Sequence, residues 1–234
     1  MKKVVLSAAA LMCGAMMFAQ GNGATINQTG IVHESEVIQT GAANNAYVDQ
    51  LGSENVSYVS QRKNDNMADI EQSGNLQDAS VQQHGHTGEA YVRQSGTSNE
   101  ADIIQYSGGP GNYAYIEQEG SGNGNNATIW QYNSNNDAYT FQYGDGNIAF
   151  TEQKGSGNFS SQVQHGTSNK VTTLQYTTGG NVSLTYQNGA SNILSHHQVG
   201  SGNNYAWAVQ TGTGHTASVL QNGGQNSSLI TQQD

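Results

Sequence analysis

A glutamine recurs every eleven residues, with a few spacings of twelve or thirteen, from Gln28 to Gln232, and this period limits what the chain can fold into. It gives nineteen anchors, and other positions lock to them. Asn stands six residues before the anchor in 15 of the 19 units, and Ala four residues before in 12, with Ser in 5 more. Ile or Val stands two residues before in 12 units, and Gly two residues after in 14. The unit is therefore Asn-x-Ala-x-Ile/Val-x-Gln-x-Gly. It fills the chain from Asn22 onward and leaves no room for a second domain.

Asn, Ala, Ile/Val and Gln fall on every second residue, so in an extended chain they share one face. A helix would scatter them, and a glycine every eleven residues would weaken it. Each unit reads as a strand of about seven residues followed by a four-residue turn. One strand and one turn bury nothing alone. Two units can form a strand-turn-strand arch whose like faces meet inside, giving a coil of about 22 residues. Coils stacked in parallel about 4.8 Å apart place Asn over Asn and Gln over Gln. Each amide then donates to one neighbour and accepts from the other, which satisfies polar groups that are costly to bury alone. The fold class expected is all-β: an amyloid-like parallel β-solenoid over residues 20–234, roughly 45 Å long at that spacing. Asn44, Asn66, Asn112, Asn147, Asn158 and Asn192 are expected as rungs of structural Asn ladders, and Gln50, Gln72, Gln118, Gln153, Gln164 and Gln198 as rungs of Gln ladders. Gly74, Gly120, Gly144, Gly155 and Gly200 are expected in turns that need a positive φ.

Residues 1–19 stand apart. Lys2 and Lys3 precede an apolar run from Val4 to Phe18, and Ala19 suits the last position before cleavage, which reads as a secretory signal peptide. The run is short for a membrane span. Cys13, the one cysteine, lies within it behind Met12, which does not suit a lipoprotein anchor, and it leaves no disulfide framework in the repeat region. Charged residues make up 10% of the chain against roughly 25% in ordinary soluble domains, and Lys+Arg number 7 against 17 Asp+Glu. A chain this acidic is not expected to bind nucleic acid or anionic lipid.

Irregular units fit the scheme. Extra residues fall around Gly109-Pro110-Gly111 and Gly122-Asn123-Gly124, and the sole proline sits in a turn, where no ladder bond needs its missing N–H. From Gln142 onward the Ile/Val column becomes Thr140, Thr151, Gln162, Thr173, Thr185, His196 and Ala208, while Phe141, Val163 and Leu174 appear one place later. Either the interior is less dry there or the register shifts.

The pattern resembles the curlin repeat of curli fibre subunits. Gln142-x-Gly144-x-Gly146-Asn147-x-Ala149-x3-Gln153 fits the second part of that repeat, and it continues as Gln153-x-Gly155-x-Gly157-Asn158 before Ser160 replaces the alanine. Elsewhere the inner glycine is often lost, as at Ser98, and the leading serine of the family is mostly Asn. The resemblance implies secretion through an outer-membrane pore of a Gram-negative bacterium. It also implies assembly into extracellular amyloid fibres of the biofilm matrix that support adhesion. The partners it implies are the chain itself and a homologous nucleator or major subunit. The regular repeats favour the major subunit over the minor nucleator.

The repeat begins soon after the leader and runs to Asp234 without a capping helix, so open strand edges are expected to template a further copy. Outward acids such as Asp49, Asp69, Glu71, Asp102, Glu117 and Glu152 would discourage clumping. Tyr47, Tyr91, Tyr115 and Tyr139 belong on one sheet, either as ordinary strand formers or as an adhesive stripe. No catalytic constellation stands out, and no cofactor is called for. His165, His196, His197 and His215 lack accompanying carboxylates or cysteines, so they are expected as ladder or outward residues rather than metal ligands. The period of eleven does not fit calcium-binding nonapeptide repeats, and the mixed outward columns do not fit an ice-binding face. A non-polymerising β-solenoid adhesin is the main alternative.

Overall fold

The computed structural model describes residues 21–120, 124–176, 179–200 and 202–234. The expected signal peptide, and Gly122-Asn123 of the second long turn, lie outside the described residues. Nineteen strands follow one another. The first are β1 (Gly23–Ile31), β2 (Glu34–Thr40), β3 (Asn45–Ser53), β4 (Val56–Arg62), β5 (Met67–Asn75), β6 (Asp78–Gln83) and β7 (Glu89–Thr97). Then come β8 (Glu100–Tyr106), β9 (Tyr113–Gly120), β10 (Asn126–Tyr132), β11 (Asp137–Asp145), β12 (Ile148–Lys154) and β13 (Phe159–Thr167). The last are β14 (Lys170–Tyr176), β15 (Val182–Ala190), β16 (Ile193–Val199), β17 (Tyr205–Thr213), β18 (Thr216–Asn222) and β19 (Ser227–Gln233). Odd strands form a ten-stranded sheet and even strands a nine-stranded one, all parallel and each strand paired to the next of its own parity. The chain is a β-solenoid with coils of about 22 residues, two facing sheets and a core between them. Among the described residues no helix is long and apolar enough to cross a membrane.

The alternation that defines the repeat is also the burial pattern. In β3 the side chains of Ala46, Val48 and Gln50 are fully buried, and Tyr47 and Asp49 between them face out. Ala keeps the sheets close. The column two residues before the anchor fills the middle, with Val48, Ile70, Val92 and Ile116 on one sheet and Val59, Val81, Ile103 and Ile129 on the other. Each such side chain, removed from water, contributes about 1.5–3 kcal/mol.

Of the two readings left open for the C-terminal half, the pairing selects the first. Gln142 aligns with Gln164 and Thr140 with Gln162, and the same columns run on through β19. No register shift occurs. Thr140, Thr151, Gln162, Thr173 and His196 take the interior places and are fully buried. Phe141, Val163 and Leu174 face outward, half-exposed.

The two kinds of turn differ. Most odd strands run nine residues, through the glycine, and reach the next strand in two residues: Glu54 and Asn55 link β3 to β4. Even strands run six or seven residues and are followed by four to six, as in residues 63–66 between β4 and β5. Gly74, Gly120 and Gly144 therefore lie within β5, β9 and β11 rather than in turns, whereas Gly155 and Gly200 occupy the turns after β12 and β16. The reason for glycine in the odd strands is proximity as well as φ. A Cβ on Gly74 would sit 1.9 Å from the carbonyl oxygen of Gly96 in the next coil. Its φ of +127° is also one that other residues seldom adopt.

Gly74→Ala is expected to break the β5–β7 contact and cost more than about 3 kcal/mol, at the severe end for a single substitution. Gly214, at φ +74° with nothing within 4 Å of an added Cβ, is expected to lose only about 1–2 kcal/mol as alanine. Hydrogen exchange of the flanking strand amides reads both variants.

Candidate functional site: the amide ladders

The chemistry of this molecule is concentrated in its stacked side-chain amides. On the ten-stranded sheet Gln50 Nε2 donates to Gln72 Oε1 at 2.8 Å, Gln72 to Gln94 at 3.0 Å, and Gln94 to Gln118 at 2.9 Å. The line runs on through Gln142, Gln164, Gln187, Gln210 and Gln232. The other sheet carries the same line from Gln39 to Gln221, including Gln153 to Gln175 at 2.9 Å and Gln198 to Gln221 at 2.9 Å. The second proton of each amide goes to a backbone carbonyl of the opposite sheet, as from Gln72 to Val56 O at 2.9 Å and from Gln118 to Glu100 O at 2.9 Å. A carbonyl only accepts, so this contact fixes which way every Gln amide points.

The asparagines do different work. Asn66 Nδ2 donates to Arg62 O of its own turn at 2.9 Å and to Gly85 O of the coil above at 2.8 Å. Its backbone N–H and its Nδ2 both donate down to Asn44 Oδ1, at 3.1 and 3.0 Å. Asn147 repeats this with Tyr143 O, Gly166 O and Asn125 Oδ1, and Asn192 with Gly212 O and Asn169 Oδ1. Asn158 donates to Asn136 Oδ1 at 3.1 Å, and Asn112 to Asn133 O at 3.1 Å. The Asn column therefore pins each turn to its neighbours. In the amide-to-amide bonds Gln donates toward the C-terminal end of the stack and Asn toward the N-terminal end, so these two ladders have opposite polarity, while Asn Nδ2 also donates to a backbone carbonyl of the coil above.

The glycines serve the same site. Gly96 O accepts from Gln77 Nε2 at 3.1 Å, and Gly144 O from Asn125 Nδ2 at 2.7 Å, so the close backbone approach at these glycines brings a carbonyl within reach of the side-chain amide. Of the four units without Asn, three keep the contact to their own turn by other means, and the fourth has Gly88 at this place. Gln77 donates to Ser73 O at 2.8 Å, His33 contacts Thr29 O at 3.1 Å, and His215 contacts Thr211 O at 3.0 Å. Period counting treats these units as exceptions. The signal that relates the three is a nitrogen donor able to reach the carbonyl four residues back.

The interior is polar in another sense toward the C-terminus. His196 is fully buried, and its Nδ1 lies 2.7 Å from Ser183 Oγ while its Nε2 has no partner. Burial pulls its pKa down to about 4. Outside, burial raises Asp69, helped by the charge of Glu71, and burial alone raises Asp78 and Asp137. Tyr47, Tyr91, Tyr115 and Tyr139 all lie on the ten-stranded sheet. Their rings do not form one straight file. Tyr91 packs on Tyr113 at 5.5 Å and Tyr113 on Tyr139 at 5.2 Å, whereas Tyr115 packs on Phe141 at 5.5 Å. Burial, and then a hydrogen bond to Glu117, push Tyr115 and Tyr143 up to about 12. Of the four histidines weighed as ligands, His165 stacks on Tyr143 with ring centroids 4.8 Å apart. Among the described residues no group of three His, Cys, Asp or Glu could hold a metal ion.

The curlin associated repeat family matches this chain over residues 34–62, 64–106 and 96–132, which lie within β2 to β10. No protein of curated function matches it.

Gln72→Leu removes one rung and leaves Val56 O and the neighbouring Gln amides unpaired in the interior, an expected loss of about 2–4 kcal/mol. The read-out is faster amide exchange in β5 and β7, with Glu36→Gln on the surface as an inert control. Acid is expected to act oppositely on the two halves. His196 has a folded pKa below its unfolded value, so its contribution is complete above pH 6.5 and is lost as the pH falls toward about 4, up to about 3 kcal/mol. Asp69, Asp78 and Asp137 have folded pKa values above their unfolded ones, so strands carrying them gain stability as the pH falls. Exchange measured from pH 7 to pH 4 and corrected for intrinsic rates is expected to quicken in β14, β16 and β18 and slow in β5 and β6. His196→Val is expected to abolish the first change alone.

Proposed function

From the premise that this chain is a curlin-repeat β-solenoid, we propose that it is a secreted structural subunit that polymerises into extracellular amyloid-like fibres of a biofilm matrix. The observation that carries this reading is the pair of amide ladders. Every inner Gln rung accepts one hydrogen bond from the coil below and donates one to the coil above, beside its bond to the opposite sheet. A coil from a second copy meets the same donors, acceptors and strand edge as a coil of the same chain. Such head-to-tail addition is a heterologous contact that does not close, and it yields filaments. The outward acids, Asp49, Asp69, Glu71 and Glu117 among them, slow unguided association. The implied partners are the chain itself, a homologous subunit that starts or extends the fibre, and an outer-membrane pore that passes the unfolded chain after residues 1–19 are removed. The location is the surface of a Gram-negative cell.

The chain from residue 20 onward, diluted from denaturant into neutral buffer, is expected to form unbranched filaments that seed fresh monomer. Their fibre diffraction is expected to show a meridional reflection near 4.7–4.8 Å and an equatorial one near 10 Å. A folded β-rich monomer that stays soluble for days at micromolar concentration would overturn polymerisation and move the function to adhesion by a single solenoid.

A further inference from the structure

The two halves of the solenoid are inverted relative to each other. In the N-terminal half the interior column is Val and Ile, and the outer face of the ten-stranded sheet carries Asp49, Asp69, Glu71, Glu89, Glu117 and Glu119. In the C-terminal half the interior column is Thr, Gln and His as far as His196 and returns to Ala208, Val219 and Ile230 only in the last three strands, and no Asp or Glu occurs between Glu152 and Asp234. Strands β13, β15, β17 and β19 contain no Asp, Glu, Lys or Arg at all. Their shared outer face presents Phe159, Leu184, Tyr186, Tyr205, Trp207 and Leu229, with Trp207 44% and Leu229 67% exposed. An uncharged, largely apolar sheet face lets two copies of a chain of formal net charge −10 meet without carboxylate repulsion, and unlike the carboxylate-free face of β14, β16 and β18 it carries no lysine such as Lys170.

We propose that the outer face of β13, β15, β17 and β19 is the lateral docking surface, occupied by the same face of a second copy packed sheet against sheet. This rests on the fibre reading above. The occupant follows from charge and size. Elsewhere on this sheet a second copy meets carboxylates. Four strands about 4.8 Å apart and, at about 3.3 Å per residue, about 23–30 Å long cover roughly 450–600 Å². A stable pair of proteins needs about 800 Å² per partner. Two free monomers therefore part readily, whereas filaments present the patch once per subunit and bind through many at once. The acidic bands of the same sheet then face one another across about 10 Å, close to the screening length of about 8 Å at physiological salt, so bundling strengthens as salt rises.

The full chain carrying Trp130→Phe keeps Trp207 as its only tryptophan. Its assembled fibres are compared with those of the same chain carrying Leu184→Glu and Leu229→Glu, and with a Ser73→Glu control that adds charge to the acidic band. The expected result is unchanged cross-β diffraction and seeding in all three. Bundles are expected from the parent and the control, and single filaments from the double variant, by electron microscopy and low-speed sedimentation. Acrylamide is expected to quench Trp207 much less in bundles than in single filaments. Equal bundling of the double variant overturns the surface and leaves the fibre reading standing. So does a Trp207 as quenchable in parent bundles as in dispersed chain, and this read-out stands even if the double variant fails to assemble. A parent chain that forms no cross-β filaments overturns the fibre reading and the surface with it.

Discussion

A buried Gln amide is fully satisfied here only when identical amides lie one coil above and one coil below it. Everything regular about the molecule depends on that constraint. A Gln side chain removed from water needs two acceptors and a donor, and the interior supplies one acceptor from the opposite sheet. The remainder must come from identical residues above and below. The anchor therefore cannot drift by one residue without reversing face, and the pairing must be parallel and in register along the whole stack. Turn insertions are tolerated because they leave the strands alone. The Gln94–Gln118 and Gln105–Gln131 bonds hold at 2.9 Å although the chain between them is longer than 22 residues.

Backbone proximity is the second constraint, and it was only partly legible. The sequence displays strand period, shared face, coil length and both ladders, because each rests on side-chain identity at fixed spacing. It does not display, at first sight, that odd and even units differ. Glycine follows the anchor by two residues in both, so both look like the same strand and turn. The difference lies in what glycine is for. In odd strands the backbone passes so close to the next coil that a Cβ meets a carbonyl oxygen, as at Gly52, Gly74 and Gly166. In even units the position lies in a turn, where the contact varies: a Cβ on Gly41 would sit 1.8 Å from Lys63 O, whereas one on Gly223 would meet only the Asn226 side chain at 3.8 Å. Lys63, Ser107 and Asn133, which replace glycine there, all fall in even units. Sorting the exceptions by parity is the signal that separates the two turns.

The C-terminal half shows why the interior column was ambiguous. Thr140, Thr185 and Gln162 place polar atoms in the core, and Thr140 Oγ1, Thr185 Oγ1 and Gln162 Oε1 find no partner. On hydrophobic pattern alone, a one-residue shift that buries Phe141, Val163 and Leu174 is the drier solution. It loses because the same shift would expel Gln142, Gln164 and Gln175 from their ladders and leave several strong hydrogen bonds unmade. Amide register outweighs apolar burial, and local pairs such as Gln162 with Thr173 Oγ1 at 2.9 Å recover part of the cost.

Opposite polarity of the two ladders has a consequence for growth. Seen from the C-terminal side, any coil offers Gln N–H donors and Asn carbonyl acceptors. Seen from the N-terminal side, it offers Gln carbonyl acceptors and Asn N–H donors. A coil arriving in the same sense meets complementary groups at both columns. A coil arriving reversed sets donor against donor along one column and acceptor against acceptor along the other, and parallel strand pairing is lost as well. The amides cannot flip to rescue it, because the Gln nitrogens are held by backbone carbonyls of the opposite sheet and the Asn nitrogens by the backbone carbonyl four residues back in their own turn. Direction is therefore written into every coil of the stack, whichever coil happens to be outermost.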